Sequence, residues 1–251
     1  WIAISRADRV ILAGDHCQLP PTIKCIEAAR GGLGRTLLEK VVLHKPETVS
    51  LLKIQYRMHE DIMRFPSRWF YHDELEAAPE VKYRGILDFD TPASWIDTSE
   101  LDLQEKAVAE GTGRLNTGEA ELLVRELKNY MERIGIRRIL EEHIDFGVIS
   151  PYRAQVHYLR HLLKKEPFFR PCRRLITVHT VDGFQGQERD VIMISLVRAN
   201  EKGQIGFLRD LRRMNVAITR ARMKLLILGE AVTLTRHPFY RELYEYIGGL
   251  R

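Results

Sequence analysis

The sequence is poor in cysteine and has no apolar stretch long enough to cross a membrane. Its three cysteines, Cys17, Cys25 and Cys172, are few and odd in number, which favours a reducing compartment over a disulfide framework. His16 and Cys17 lie near Cys25, but no fourth ligand has a suitable spacing, so we expect no metal there. No signal peptide is visible. We therefore expect no membrane partner and a cytoplasmic location, or a nuclear one in a eukaryote.

Positive charge is in modest excess. The net charge is +5 and the isoelectric point is about 9.1, which permits a polyanionic partner without requiring one. Basic residues are dense at Arg160–Arg174 and Arg209–Lys224, whereas Asp73–Glu126 leans acidic. A basic face is typical of nucleic-acid-binding proteins, although most charge runs are solvated surfaces.

The stretch LITVHTVDGFQGQERDVIMISLVRAN combines two apolar runs with a polar loop. Leu175–Val178 and Val191–Val197 are rich in β-branched residues, as strands covered on both faces are. In the loop, Gly183 and Gly186 would let backbone amides approach a ligand closely. A plain polar connection between two strands is the alternative interpretation.

A second stretch, LRRMNVAITRARMKLLILG, predicts a basic helix that leads into a strand. Arg220 and Arg222 stand among small residues in TRAR, which we interpret as leaving their guanidinium groups room to reach a phosphate. The alternative is a solvated basic helix face.

These stretches resemble motifs of superfamily 1 helicases. VHTVDGFQGQERDVIMISLVRAN resembles motif V, and RRMNVAITRAR resembles motif VI, in the subgroup containing the nonsense-mediated-decay helicase and the immunoglobulin mu-binding-protein helicase. GDHCQLPP is similar to motif III, QYRMH to motif IV and VISPYRAQ to motif IVa. The resemblance runs from Arg9 to about Tyr246.

The resemblance implies a fold and a domain organisation. The fold class would be α/β, a RecA-like parallel sheet with helices on both faces, as in the second motor domain of a P-loop NTPase. The alternation of strands and helices after Val49 favours the same class. Residues 1–45 would be the tail of a first RecA-like domain. Residues 46–251 would be the second, with a variable insertion at about 73–117.

The resemblance also implies a nucleotide site between two motor domains. Asp15 would support the metal and phosphate region, Glu188 would bind the ribose, and Tyr56 would stack on the adenine. Arg57 and Arg220 would contact the γ-phosphate, and Gln18 would sense it. Arg222 is a weaker candidate for the role of Arg220. The catalytic candidates are Arg57, Arg220 and Gln18, and the nucleotide-binding candidates are Tyr56, Gly186, Glu188 and Asp15. A solvent-exposed Arg57 and a core-packed Tyr56 are the alternatives.

Single-stranded DNA or RNA is the partner that the resemblance implies. In VISPYRAQ the candidates for contact with the nucleic-acid backbone are Ser150, Tyr152 and Gln155, although an ordinary strand-to-helix turn explains this segment nearly as well. Thr180 and Asp182, on the loop after the strand, are further candidates. Contact with the backbone would be largely independent of sequence and sensitive to salt.

The sequence contains no GxxxxGK[ST] loop and no strand ending in a DEAx-like carboxylate pair, and both are needed for nucleotide hydrolysis in this class. RGGLGRTLL lacks the lysine, so we interpret it as a glycine turn before a helix at Thr36–Val42. Because the chain also begins at Trp1, we expect it to continue a longer protein. An N-terminal motor domain of that protein would supply most ligands of ATP and Mg²⁺.

The predicted function is the C-terminal part of an ATP-dependent helicase or translocase, which would hydrolyse no ATP as this chain alone. Two alternatives remain open. One is a non-catalytic nucleic-acid- or protein-binding module derived from a degenerate motor domain, and the other is the motor part of a helicase–nuclease.

Hydrophobic periodicity predicts the remaining elements. They are a strand in RVILAG ending at Gly14, a strand containing Leu51, Leu52 and Ile54 followed by a helix to Phe70, short strands at Ile86–Phe89 and Trp95–Asp97, a loop at Leu101–Gly113, a helix from Asn116 to Gly135, a strand at Asp145–Ser150, a helix at Arg153–Lys165, a strand at Leu225–Leu228 and a helix at Pro238–Ile247.

Overall fold

The computed structural model describes residues 4–21, 23, 25–108 and 113–250. The chain divides into two compact units, Trp1–Leu52 and Lys53–Arg251. The domain boundary after residue 45 stays a prediction.

Five parallel strands form the central sheet of the second unit. In chain order, the strands of the described residues, including those outside this sheet, are β1 (Ile54–Gln55), β2 (Glu76–Ala77), β3 (Ala93–Asp97), β4 (Lys106–Ala107), β5 (Arg114–Leu115), β6 (Phe146–Ser150), β7 (Ile176–Thr180), β8 (Arg189–Ser195) and β9 (Ala221–Gly229). The order in the central sheet is β3-β9-β8-β6-β7, while β1 pairs with β2 and β4 pairs with β5. Every pairing in the central sheet is parallel, which confirms the predicted α/β fold class.

Helices connect these strands. They are α1 (Ile26–Ala28), α2 (Leu37–His44), α3 (Glu60–Phe70), α4 (Pro79–Lys82), α5 (Thr117–Ile134), α6 (Ile136–Glu141), α7 (Arg153–Lys165), α8 (Val181–Phe184), α9 (Leu211–Ile218), α10 (Ala231–Leu234) and α11 (Pro238–Gly248). Single helical turns occur at Ile4–Arg6, Ala29–Leu33, Pro46–Thr48, Pro167–Phe169, Arg173–Leu175 and Gly206–Arg209. None of the described helices is both long and apolar enough for a membrane span.

The central sheet is covered on both faces. On one face, Phe146 and Val148 of β6 join a core cluster with Leu123 and Leu127 of α5. On the other face, a Cβ added at Gly147 would come within 2.7 Å of the Phe184 ring in α8. Glycine at this position therefore lets α8 pack directly against the sheet. Successive residues of a strand point to opposite faces, so strands covered in this way read as nearly unbroken apolar runs.

The long helices follow the predicted periodicity. Asn116 caps α5 by accepting a hydrogen bond from Glu119 N, and Gly135, at φ 88°, ends it. The positive φ favours glycine there. In the first unit, Thr36 and Glu39 form a capping box at the start of α2. Both helices begin where the sequence predicts, and at each start a polar side chain satisfies amides that have no partner within the helix.

Several predicted strands were wrong. RVILAG forms no strand, and Val10, Ile11 and Leu12 are exposed. The described residues of the first unit include no strand that could pair with it, and an unpaired strand leaves its amides and carbonyls unsatisfied. The strand expected around Leu51 and Leu52 is reduced to β1 for the same reason, since its only partner is the two-residue β2.

The region 73–117 is more ordered than its sequence suggests. Ile86–Phe89 is an irregular turn, not a strand. Trp95–Asp97 does lie in a strand, β3, which forms one edge of the central sheet by pairing with β9. The expected loop at Leu101–Gly113 contains β4, while its residues 109–112 lie outside the described part. At least β3 of this region therefore belongs to the fold itself.

Candidate nucleotide site and nucleic-acid contacts

The turn after β1 is held by the side chain of Gln55. Its Oε1 accepts hydrogen bonds from Arg57 N at 2.9 Å and Met58 N at 2.8 Å, and its Nε2 donates to Met58 O at 2.8 Å. The turn is also anchored from outside, since Arg84 donates to Arg57 O at 2.9 Å. These bonds fix the backbone from which the Arg57 side chain projects.

Arg57, Glu188 and Arg222 form one ion-pair cluster. The Arg57 Nε donates to Glu188 Oε2, and its second nitrogen donates to Thr219 O at 3.2 Å. The Arg222 Nε donates to Glu188 Oε1 at 3.0 Å. Glu188 thus lies between two guanidinium groups, and the three side chains are 31–36% exposed. A half-exposed pair of arginines is well placed to bind the oxygens of an incoming phosphate.

The cluster continues along the amino-terminal edge of the sheet. Arg222 also donates to Asp190 Oδ1 at 3.1 Å, while Asp190 N donates to Asp145 Oδ1 at 2.7 Å. Glu188 precedes β8, and Arg222 lies near the start of β9. Adjacent parallel strands begin at the same edge of a sheet, which is why residues more than thirty positions apart meet here. Ligands of open α/β sheets usually bind at the opposite, carboxyl edge.

Burial and charge act in opposite directions on the groups of this cluster. Burial alone would raise the pKa of Glu188, but hydrogen bonds and positive charge from Arg57 and Arg222 outweigh it and hold that pKa below its usual value. Burial disfavours the Arg222 cation, yet Asp190 and Glu188 raise the pKa of its guanidinium. For Asp145, burial raises the carboxyl pKa. Glu188 and Arg222 are therefore charged at neutral pH.

Arg220 does not lie where its motif suggested. It is 2% exposed, and its guanidinium donates to Val216 O, Gln187 O and Thr219 Oγ1 at 3.0–3.1 Å. These bonds tie the end of α9 to the loop before β8, as basic side chains often do at helix carboxyl ends. The expectation that small neighbours leave both arginines room to reach a phosphate is wrong for Arg220 in this conformation. Arg222 has the half-exposed position instead.

Two other nucleotide candidates are accessible. The Tyr56 ring is 65% exposed, as stacking on a base requires. Gly186 is exposed and has φ 82°, with open space where a Cβ would stand. The backbone conformation, and not crowding, therefore favours glycine at this position.

Three predicted nucleic-acid contacts are buried. Ser150 and Gln155 are 0% exposed and Tyr152 is 2% exposed. Gln155 bonds through its amide to Asn116 N, Asn116 O and Ser195 Oγ at 2.9–3.0 Å. The predicted contacts are therefore wrong for this conformation, because all three side chains lie inside the protein, where Gln155 joins α7 to the start of α5 and to β8. Burial of a polar side chain requires such partners.

Thr180 and Asp182 have more open positions. Thr180 is half-buried and caps α8 by accepting from Gly183 N at 3.3 Å, and Asp182 is exposed in the first turn of α8. The connection HTVDGFQGQER is thus not a plain loop, since it contains a helical turn. Contact of Thr180 and Asp182 with nucleic acid stays a prediction.

Asp15 and Gln18 lie in the first unit and form a local turn. Asp15 accepts from Cys17 N at 2.9 Å and from Gln18 Nε2 at 2.8 Å. Potential ligand atoms of Asp15, His16 and Cys17 lie within 4.8 Å of one another. The roles expected from the resemblance, contact with the terminal phosphate for Gln18 and support of the metal and phosphate region for Asp15, stay predictions.

Sequence reasoning missed several residues that build the site. Gln55 belongs to the quoted QYRMH motif, but its bonds to its own turn are not visible in a pattern. Asp145 and Asp190 stand at the starts of two apolar strands, and the parallel pairing of those strands is what brings them together. Glu119 accepts from Ser195 Oγ at 2.6 Å and Val197 N at 2.9 Å inside the protein.

Comparisons with known proteins agree with the helicase motifs found in the sequence. A family profile described as "AAA domain" matches residues 33–232. The DNA-binding protein SMUBP-2 of Rattus norvegicus is 36% identical over 98% of this chain, which covers 25% of that protein. An uncharacterised ATP-dependent helicase of Methanocaldococcus jannaschii is also 36% identical over 98% of this chain, covering 36% of it. The Drosophila melanogaster homologue of regulator of nonsense transcripts 1 is 35% identical over 96% of this chain, covering 20% of it.

The chain thus spans between a fifth and about a third of the length of these relatives. A solved structure, the C-terminal domain of a possible DNA helicase from Lactobacillus plantarum, matches 70% of this chain and 88% of its own at 13% identity and a TM-score of 0.39. That likeness is too low to carry an argument. The chain belongs to the AAA domain family, and the resemblance to superfamily 1 helicases that its motifs predicted is confirmed.

Proposed function

We propose that this chain is the C-terminal motor part of an ATP-dependent helicase or translocase. The observation that carries the proposal is the Arg57–Glu188–Arg222 cluster, in which residues from three separate motifs meet at one half-exposed place. A degenerate binding module would have no use for two arginines held side by side in this way. Two guanidinium groups can bind several phosphate oxygens at once.

The cluster suits an anion better than a bare cation. Glu188 and Asp190 are both bound by guanidinium groups, so neither carboxylate is arranged for a divalent metal. The proposal therefore assigns ATP phosphates to Arg57 and Arg222, and the ligands of Mg²⁺ to a domain that carries a lysine-bearing phosphate loop. When bound, ATP and Mg²⁺ would supply the phosphoryl group and its charge.

Two steps follow for the residues of this chain. Arg57 would move part of its hydrogen bonding from Glu188 to the terminal phosphate, since both anions compete for the same guanidinium group. Glu188, released on one side, would turn its oxygen to a ribose hydroxyl. Loss of the terminal phosphate would restore the original ion pairs, and alternation between the two arrangements would open and close a cleft between motor domains.

The partner in this proposal is single-stranded DNA or RNA. Its support is the match to relatives such as SMUBP-2, a DNA-binding protein by name. We also propose a cytoplasmic location, or a nuclear one in a eukaryote, because three cysteines, few and odd in number, favour a reducing compartment.

The substitution Arg57→Ala in the full-length protein tests the proposal. We expect hydrolysis of ATP stimulated by nucleic acid to fall by about 10³-fold or more, the effect of removing an arginine that stabilises transition-state charge. Binding of a nucleotide analogue should remain mostly intact. Arg64→Ala is the matched control, because Arg64 is exposed and pairs only with surface carboxylates. Equal loss of binding and hydrolysis in Arg57→Ala would show a structural role and reject the proposal.

A further inference from the structure

One face of α7 carries a regular row of basic side chains. Arg153, His157, Arg160 and Lys164 follow one another at spacings of four, three and four residues, and all four are exposed. Such spacings place side chains on the same face of a helix. The row extends for about 16 Å along the helix axis, at about 1.5 Å per residue. We call it the α7 basic row.

The α7 basic row lies beside the open edge of the central sheet. Strand β7 is the last strand of the sheet and pairs with β6 alone among the described strands. Arg160 donates to Val178 O of β7 from two of its nitrogens, at 3.1 and 2.6 Å. A cleft of about 280 Å³ lies between α7 and β7, and its lining includes Arg160, Lys164 and Arg173. The neighbouring Arg174 is also exposed.

Among the described residues, no carboxylate balances the charges of this surface. Within the described part of the chain, no ion pair to a carboxylate involves Arg153, Arg160, Lys164 or Arg174. Glu166, which follows α7, pairs with Lys128 instead. By contrast, the exposed Arg137 and the half-buried Arg138 in α6 each pair with a glutamate four residues later.

Helix stability does not explain the first residue of the row either. Arg153 is the first residue of α7, and the first turn has no acidic residue. The amino end of a helix carries a partial positive charge, so a cation there is unfavourable by a few tenths of a kcal/mol. A solvated helix face would be at least as stable with a neutral residue at this position.

We propose that the α7 basic row binds the phosphate backbone of a nucleic acid, beyond the contacts that the sequence motifs predict. The row begins at the carboxyl end of β6, where β6 and β7 end side by side at Ser150 and Thr180. A strand that passes Thr180 would continue along α7 toward Lys164. The inference rests on the proposed function, and it names the path on which the strand leaves the motor.

The test uses the triple variant Arg153→Gln, Lys164→Gln and Arg174→Gln in the full-length protein. The matched control is Arg64→Gln, Arg68→Gln and Arg241→Gln, which removes the same charge from α3 and α11, remote from β7 near the other edge strand, β3. Fluorescence anisotropy without nucleotide measures the affinity for a long single strand over a range of salt concentrations. Circular dichroism confirms that both variants are folded.

We expect the plot of log affinity against log salt to become shallower by about two in the α7 variant, since each phosphate contact on a single strand contributes about 0.7. The control should keep the slope of the parent. An unchanged slope in the α7 variant overturns the inference. A higher affinity for poly-glutamate than for the single strand at equal charge, lost in the α7 variant only, would identify an acidic-protein site and also overturn the inference.

This readout is independent of hydrolysis. If Arg57→Ala hydrolyses ATP normally while the α7 variant loses slope, the proposed motor role fails and the binding surface stands. If hydrolysis depends on Arg57 while the α7 variant binds like the parent, the motor role stands and the surface fails.

Discussion

Glu188 accepts a hydrogen bond from Arg57, although the two residues are 131 positions apart in the chain. The same carboxylate accepts from Arg222 at 3.0 Å. One anion therefore holds together two cations that the proposed function assigns to phosphates. A phosphate that enters this place competes with a carboxylate already bound there, so nucleotide binding and rearrangement of the cluster are linked.

Glu188→Gln should change nucleotide selectivity more than stability. Half-exposed ion pairs contribute about 0–1 kcal/mol each, so the free energy of unfolding should fall by less than about 2 kcal/mol. Loss of the carboxylate should remove the preference for a ribose hydroxyl, and the Kd values for ATP and 2′,3′-dideoxy-ATP should converge. Calorimetry on the full-length protein measures both. A preserved ratio of the two Kd values would show that Glu188 does not contact the ribose.

Arg220 and Arg222 should respond differently to substitution by alanine. Arg220→Ala removes a buried side chain that bonds to two backbone carbonyls, and we expect it to lower the free energy of unfolding by about 2–4 kcal/mol. Arg222→Ala removes half-exposed ion pairs and should cost about 1 kcal/mol or less. Chemical denaturation measures both. An Arg220→Ala protein as stable as the parent but unable to hydrolyse ATP would place that guanidinium at the phosphate after all.

Gln155→Ala should weaken the fold and leave nucleic-acid binding by the folded protein unchanged. The amide joins the start of α5 to the end of β8 through three hydrogen bonds, and their loss leaves buried groups unsatisfied. We expect a loss of about 2–4 kcal/mol in the free energy of unfolding. His161→Ala, an exposed position on the same helix, is the control. Weaker nucleic-acid binding at unchanged stability would restore Gln155 as a contact residue.

Glu119 should make stability depend on pH in an unusual direction. Burial raises the pKa of its carboxyl to about 7 from 4.5, against hydrogen bonds from Ser195 Oγ and Val197 N that lower it. Because this raised value belongs to the folded state, the native protein binds more protons than the unfolded chain between these pH values. The contribution of Glu119 to stability is therefore full below about pH 4.5 and falls as the pH rises toward 7, by about 3 kcal/mol in total.

The variant Glu119→Gln isolates this effect. Its amide stays neutral, so the difference in unfolding free energy between parent and variant should decrease from pH 5 to pH 8. Urea denaturation at several pH values measures the difference. A constant difference over this range would mean that Glu119 is ionised in the folded protein throughout.

The sequence by itself determined the class of the fold and the identity of most site residues. Apolar runs such as Val191–Val197 require cover on both faces, and the helix starts predicted at Asn116 and Thr36 are set within one turn, so both are readable locally. The motifs containing Arg57 and Glu188 were recognisable for the same reason, since each is a short contiguous stretch.

Only the tertiary structure decided which of these residues face outward. Arg220 and Arg222 stand in the same four-residue motif, yet one is buried against the end of α9 and the other reaches Glu188. Gln155 looked like a surface contact and is fully buried. Exposure depends on which elements pack over a residue, and those elements are distant in the chain. Whether an apolar run forms a strand likewise depends on a partner strand that can be distant in the chain. RVILAG has no described partner strand and forms no strand.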